Sequence, residues 1–315
     1  MAAGVRRRSS RSTGWLISVV LLLVPGCGVT ADGTDSSTGT EIETLVRRLP
    51  GTTVSVLAID AVGGAEALGA DRTALGRRAD LPAAWGSDGP DPDGQLGSAL
   101  VVAISPLLSP FDSAHDGIDL GEVTGVVQAA TAESHGDLIV IATAQSRDEL
   151  VAAYTDAGFE PADGDVLVLP GAASQGDVSG GFPVLEVSDG LLLLATSTDV
   201  LDRWEAATGP TDGLLSLLVA AGERWAISMQ LPPMGAASCG EGVAIVSDGE
   251  TDELLLLDAG GDRFDRAAAE QLGFQVGDAR PDGEITRYPL TPSDPNAAAL
   301  VTGGVLLDGP PLTSC

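Results

Sequence analysis

The chain contains no lysine: all 16 of its basic residues are arginine, set against 45 Asp and Glu. Without lysine there is no Ser-x-x-Lys nucleophile and no phosphate loop of the G-x-x-x-x-G-K-[ST] type. Aromatic residues make up 3 % of the chain, so stacking platforms for sugars or bases are scarce and the core has to be built from Leu, Val, Ala and Ile. The two histidines, His115 and His135, are too few for a multi-histidine metal site, and each lies in a polar stretch beside an acid or a glycine. No G-x-S-x-G elbow is present, and no G-x-G-x-x-G stands between a strand and a helix.

The formal net charge is −29. Such a surface repels phosphate backbones, and the body has no basic cluster to offset it, which argues against nucleic acid as a partner. Anionic lipid headgroups are repelled too. Hydrophobic residues make up 44 % of the 315, a composition that favours a folded body over disorder, with length enough for one large domain or two small ones.

What is present is concentrated at the N-terminus. Arg6, Arg7, Arg8 and Arg11 form a positive region, Leu16 to Val24 an apolar run, and Val24-Pro25-Gly26-Cys27 follows at once. As a helix the apolar run rises about 14 Å, roughly half of a hydrocarbon core, which weighs against a transmembrane anchor. The segment resembles the bacterial lipoprotein signal, in which an aliphatic residue, a small residue and Gly or Ala precede a Cys that is acylated and becomes the new N-terminus. Pro25 departs from that pattern, whereas Val24, Gly26 and Cys27 match it. A conventional secreted protein and an uncleaved anchor are the alternative readings. The resemblance implies lipidation at Cys27, contact with the bilayer through the acyl chains, and a position on the extracytoplasmic face of the cell membrane. Arg7-Arg8 is followed by Ser9, Ser10 and Arg11 and lacks the apolar residues of a twin-arginine signal.

With Cys27 assigned to lipid, Cys239 and Cys315 are left as an even pair, and in an oxidising compartment two such thiols more often join than stay apart. Residues Gly28 to Glu41, GVTADGTDSSTGTE, have the composition of a flexible tether reaching roughly 20 Å. The expected organisation is a signal peptide over 1–26, a lipidated Cys and tether over 27–41, a first α+β lobe over 42–210 and a second over 211–315. The fold class expected is α+β, with mixed or antiparallel sheets and helices packed on them.

Within the body, Val54 to Ile59 reads as the first strand, after a short helical turn at Leu45 to Leu49. Ala61 to Leu75 has helical composition, Gly86 to Gly97 reads as a surface loop dense in turn residues, Ala99 to Ile104 as a strand, and Gly121 to Ala132 as a helix. Asp137 to Ala144 is a buried strand, and Ser146 opens a helix that stops at Gly158-Phe159 before the Asp163-Gly164 turn and the strand Val166 to Leu169. The order recurs from Leu254: strand, helix over Asp262 to Leu272, Gly273-Phe274, the Asp282-Gly283 turn, and the strand Glu284 to Tyr288. The spacing from strand end to glycine is 17 positions in one copy, Ile141 to Gly158, and 16 in the other, Leu257 to Gly273. This suggests a degenerate duplication with the division near Gly209 to Gly213. Between the copies, two strands flank Ser188-Asp189-Gly190 and Ser197-Thr198-Asp199 opens a helix through Trp204, an order similar to that of uncharacterised lipoproteins of high-GC bacteria.

Candidate chemistry is thin. Asp88, Asp91, Asp93 and Gly94 suggest a calcium loop, but with Gly94 at the sixth position Gly89 and Leu100 occupy positions one and twelve and supply no carboxylate. Asp248, Glu250, Asp252 and Glu253 read as a charged hairpin turn. Trp85, Trp204 and Trp225 are candidates for a pocket wall, with core packing the simpler use of the last two. No catalytic, cofactor or metal residue is assigned. The expected function is binding or scaffolding without catalysis, the alternatives being a hydrolase working through its acids and a solute-binding lipoprotein.

One prediction follows from the cysteines alone. Joining Cys239 to Cys315 closes a long loop, which stabilises by roughly 4 kcal/mol in the chain-entropy treatment. Non-reducing intact-mass analysis after alkylation is expected to find neither thiol labelled, and two alkylated cysteines in the folded, oxidised protein would refute the bridge.

Overall fold

The computed structural model describes residues 40–76, 92–104, 118–131, 137–162, 164–170, 182–231, 242–257, 266–271 and 274–292. Cys27, Cys239, Cys315, His115, His135, Asp88, Asp91, Trp85 and Gly273 lie outside the described residues.

Helix α1, Thr40–Arg47, leads into β1, Thr53–Asp60, a strand buried on both faces. Its partners are β2, Val123–Thr131, on one side and β8, Ala226–Gln230, on the other. From β2 the sheet continues through β3, Asp137–Thr143, and then β7, Leu191–Ala195, and β6, Val184–Ser188. It ends on that side in β5, Val166–Val168, and β4, Glu160–Pro161. From β8 it runs through β9, Gly242–Ser247, and β10, Asp252–Leu257, to β13, Ile285–Pro292. The short strands β11, Phe274–Val276, and β12, Arg280–Asp282, both pair with β13. All these pairings are antiparallel, and together the 13 strands make one sheet.

Helices cover both faces, which makes the body an α+β fold in three layers. On one face lie α2, Ala61–Leu68, α3, Pro92–Ile104, and α4, Arg147–Asp156. They pack with Leu57, Ile59, Val126, Ile139 and Ile141. Alternate residues of the same strands, Val56, Ala58, Val127 and Val140, meet α1, α5, Thr198–Glu205, and α6, Asp212–Ala221, on the other. Burial on both faces removes the polar alternation that usually marks an antiparallel strand. Near β13, a smaller cluster joins Phe274, Tyr288 and Leu290 to Ile245 and Leu254, beside α7, Arg266–Gln271. Arg266 donates to the carbonyls of Val276 and Gly277 beside the end strand β11.

Several local expectations match the elements. Ser146 caps α4 through a reciprocal bond with Glu149, Gly158 sits at φ 98° where the helix ends, and buried Phe159 turns back edge-on to Tyr154 with ring centroids 5.6 Å apart. Ser188 to Gly190 makes the β6–β7 hairpin. Ser197 occupies the N-cap of α5 without a side-chain hydrogen bond.

Three expectations are corrected. Helix α1 takes in Thr40 and Glu41, so the last two residues of the expected tether are helical. Residues 92–97 belong to α3, which continues through the expected strand Ala99 to Ile104. Pro92 fills the first helical position, where a missing N–H costs nothing, and Leu96, Ala99, Leu100 and Ala103 are all buried along one face. The expected helix over Gly121 to Ala132 is instead the turn before β2 and the strand itself; a doubly buried strand spaces its apolar residues as readily at three and four as at two.

Leu96 decides between the helix and the loop. Leu96→Ala is expected to lower stability by about 2–5 kcal/mol through lost burial and a cavity. Denaturant melts check this, and a change below about 0.5 kcal/mol, the cost typical of an exposed position, would contradict the packing of α3.

Candidate functional site

Asp60 is the last residue of β1 and the N-cap of α2. The strand delivers its carboxyl to the start of the helix, where Oδ1 accepts from the amides of Val62 at 3.0 Å and Gly63 at 2.9 Å. Its own amide donates to the carbonyl of Trp225 at 2.7 Å, which fixes the end of β1 against the entry to β8. Asp60 is 6 % exposed.

A cleft of about 180 Å³ opens at this junction, lined by Asp60, Gly63, Glu66, Glu223, Arg224 and Trp225, with Ala67 and Asp248 completing the wall. Two glycines shape it. A Cβ on Gly63 would stand 2.8 Å from Oδ2 of Asp60, and one on Gly64 would stand 2.8 Å from Cε3 of Trp225 and 3.0 Å from Cδ1 of Leu96. The absent side chain at Gly63 leaves Oδ2 open to the cleft, and the absent one at Gly64 lets the indole lie against α2.

The polar groups at the site are unevenly satisfied. Arg224 pairs with Asp248 and, at 3.0 Å, with Glu253, which also takes Arg287 at 3.2 Å. Arg287 in turn reaches Asp282 at 3.1 Å and the carbonyl of Ala220 at 2.7 Å. The guanidinium is therefore spent on a network that ties α6, β8, the β9–β10 hairpin and β13 together. By contrast, Oδ2 of Asp60 accepts no hydrogen bond among the described residues, and the buried Nε1 of Trp225 has no partner there either. With Glu66 and Glu223 at the rim, the cleft has an excess of negative charge.

Burial raises the Asp60 carboxyl above its ordinary value of 3.8; the Gly63 and Val62 amides pull the other way, Glu41 adds to the rise and Arg72 opposes it. Burial also raises Asp252, against a hydrogen bond from Ser247 and the charge of Arg224. Glu186 on β6 is raised by burial and by Glu205 and Asp165, with Arg48 opposing. Among the described residues, no three of His, Cys, Asp and Glu gather as a metal cluster, and no helix is long and apolar enough to cross a membrane.

Of the residues singled out in the sequence, Trp204 is buried with α5 and holds Arg48 over its ring at 4.8 Å, while Trp225 both packs in the core and walls the cleft. The charged run from Asp248 to Glu253 spans the β9–β10 turn and the first two residues of β10, and it also supplies both partners of Arg224. Asp60 escaped the sequence reading, although an Asp between a strand and a helical stretch is an N-cap signal. Nothing in the sequence around Arg224 marks its pairing, because its partners stand 24 and 29 positions away.

No protein family matches the chain, and no curated protein resembles it in sequence. Among solved structures it is similar to crystal form I of TP0453, with a TM-score of 0.43 and 8 % identity, the match covering 85 % of this chain and 99 % of that one. Crystal form III of TP0453 gives a TM-score of 0.44 and 6 % identity over 82 % of this chain and 97 % of that one.

The Asp60 carboxyl also makes stability depend on pH. Because it is raised in the folded state, the folded chain holds the proton more tightly, so the associated stability is present below the unfolded value and lost as the pH rises through the raised one. Asp60→Asn keeps an oxygen for the two amides and removes the ionisation. The stability of this variant relative to the wild type is expected to rise with pH from near 3.8 and level off above the raised value. Paired denaturant melts across that window check the sign, and a relative stability that falls with pH would show that the ionised carboxylate is favoured by folding.

Proposed function

We propose that this chain is a membrane-anchored extracytoplasmic lipoprotein whose body serves a binding or scaffolding role, held to the bilayer through an acylated Cys27. The observation that carries the anchor is the run of Arg6 to Arg11, Leu16 to Val24 and Val24-Pro25-Gly26-Cys27. The strong negative charge supports it from the other side, since an acidic body has no electrostatic attraction to anionic headgroups and association then depends on the acyl chains. A binding role is supported by the cleft beside Asp60, a concavity with convergent polar groups at the end of a rigid central strand.

The finer reading of two related halves rests on element order: β3, α4 and β4 in one, β10, α7 and β11 in the other, each a strand, a helix and a short strand. The pairing differs between them, because β3 lies beside β7 whereas β10 lies beside β13. We carry the duplication as a proposal on that order alone.

The anchor is tested in cells. Metabolic labelling with a fatty-acid analogue is expected to mark the wild type, and Cys27→Ser is expected to lose nearly all the label and leave the membrane fraction. Equal labelling of the two proteins would overturn the lipoprotein reading.

A further inference from the structure

We propose that the cleft at the junction of β1, α2 and β8 binds a compact organic cation through a primary ammonium group, with Asp60 Oδ2 as its anionic contact. The inference deepens the binding role proposed above and names its ligand class; it does not depend on the anchor.

Three independent features point to this chemistry. First, Asp60 is more than nine-tenths buried, yet only one of its two oxygens is used: Oδ1 takes two amides, while Oδ2 lies open to the cleft over the bare Cα of Gly63. A carboxylate oxygen that reaches the cleft without a protein partner is a free acceptor, and an ammonium donor supplies both the hydrogen bond and the countercharge. Second, Trp225 is 7 % exposed and walls the same cleft. Its indole adds an aromatic wall, a surface that favours cations. Third, the charge balance excludes the opposite ligand. The guanidinium of Arg224 is already paired with Asp248 and Glu253, so Asp60, Glu66 and Glu223 leave an anion with nothing to meet it. At about 180 Å³ the space suits a molecule of a few heavy atoms.

The carboxylate has a second role as a helix cap, and the test separates the two. Putrescine is titrated calorimetrically into the full-length chain held in detergent micelles. Saturable binding is expected for the wild type. Asp60→Asn keeps an oxygen for the Val62 and Gly63 amides and is expected to weaken binding about tenfold or more, the loss of one charged hydrogen bond. Gly63→Ala keeps the charge but sets a methyl against Oδ2, and is expected to weaken binding as well. Asp156→Asn, an exposed acid at the end of α4, is expected to leave binding unchanged. Tetramethylammonium, a cation without an N–H donor, is expected to bind far more weakly than putrescine.

The proposal is overturned if the wild type does not bind putrescine, or if Asp156→Asn weakens binding as much as Asp60→Asn, which would reduce the effect to bulk charge. Calcium chloride producing a saturable response that Asp60→Asn abolishes would replace the ammonium with a metal ion. Because none of these readouts involves the acyl chains, loss of binding and loss of the anchor are separate outcomes.

Discussion

The pairing of β1 with both β2 and β8 is the constraint on which the rest of the structure depends. β1 comes first among the strands yet lies inside the sheet, between the next strand of the chain, which begins at Val123, and one that begins only at Ala226. Closing that second pairing brings Arg224, Trp225 and the β9–β10 hairpin beside α2. Neither wall of the cleft exists without it, since Asp60 and Gly63 come from one side of the pairing and Arg224 and Trp225 from the other.

Covering the sheet on both faces explains why some elements were legible in the sequence and others were not. Val54 to Ile59 and Asp137 to Thr143 are unbroken or nearly unbroken apolar runs of strand length, and they were read correctly. β2 carries the same burial, but its apolar residues are interrupted by Thr124, Gly125 and Gln128, so their spacing imitates a helix. In α3 the reverse happened: Pro92, Asp93 and Gly94 looked like loop punctuation, although a proline and an acid in the first turn are also how a helix starts. Local capping chemistry was the more dependable guide. Ser146 with Glu149, and Gly158 with Phe159, were legible because each works within a few residues and needs no partner from the far half of the chain.

The site was less legible for the same reason turned around. Gly63 and Gly64 weaken a helix by propensity, and nothing next to them in the sequence shows a use for them. Their use becomes visible once Trp225 and the Asp60 carboxylate are placed against them, which requires the β1–β8 pairing. The charged turn at Asp248 to Glu253 was legible as a turn, while the paired arginines 224 and 287 were not legible as its counterions.

The contact of Arg266 with the carbonyls of Val276 and Gly277 bears on how such a chain lives among its own copies. A broad antiparallel sheet tends to recruit strangers at its rim, because a terminal strand leaves half its backbone wanting a neighbour. A guanidinium occupies that place beside β11, and at the opposite rim β4 is only two residues long and ends in Pro161, which has no N–H to give. Both rims are thus poor seeds for growth. At each rim of the described sheet, a further strand would meet less than a full ladder of free donors and acceptors.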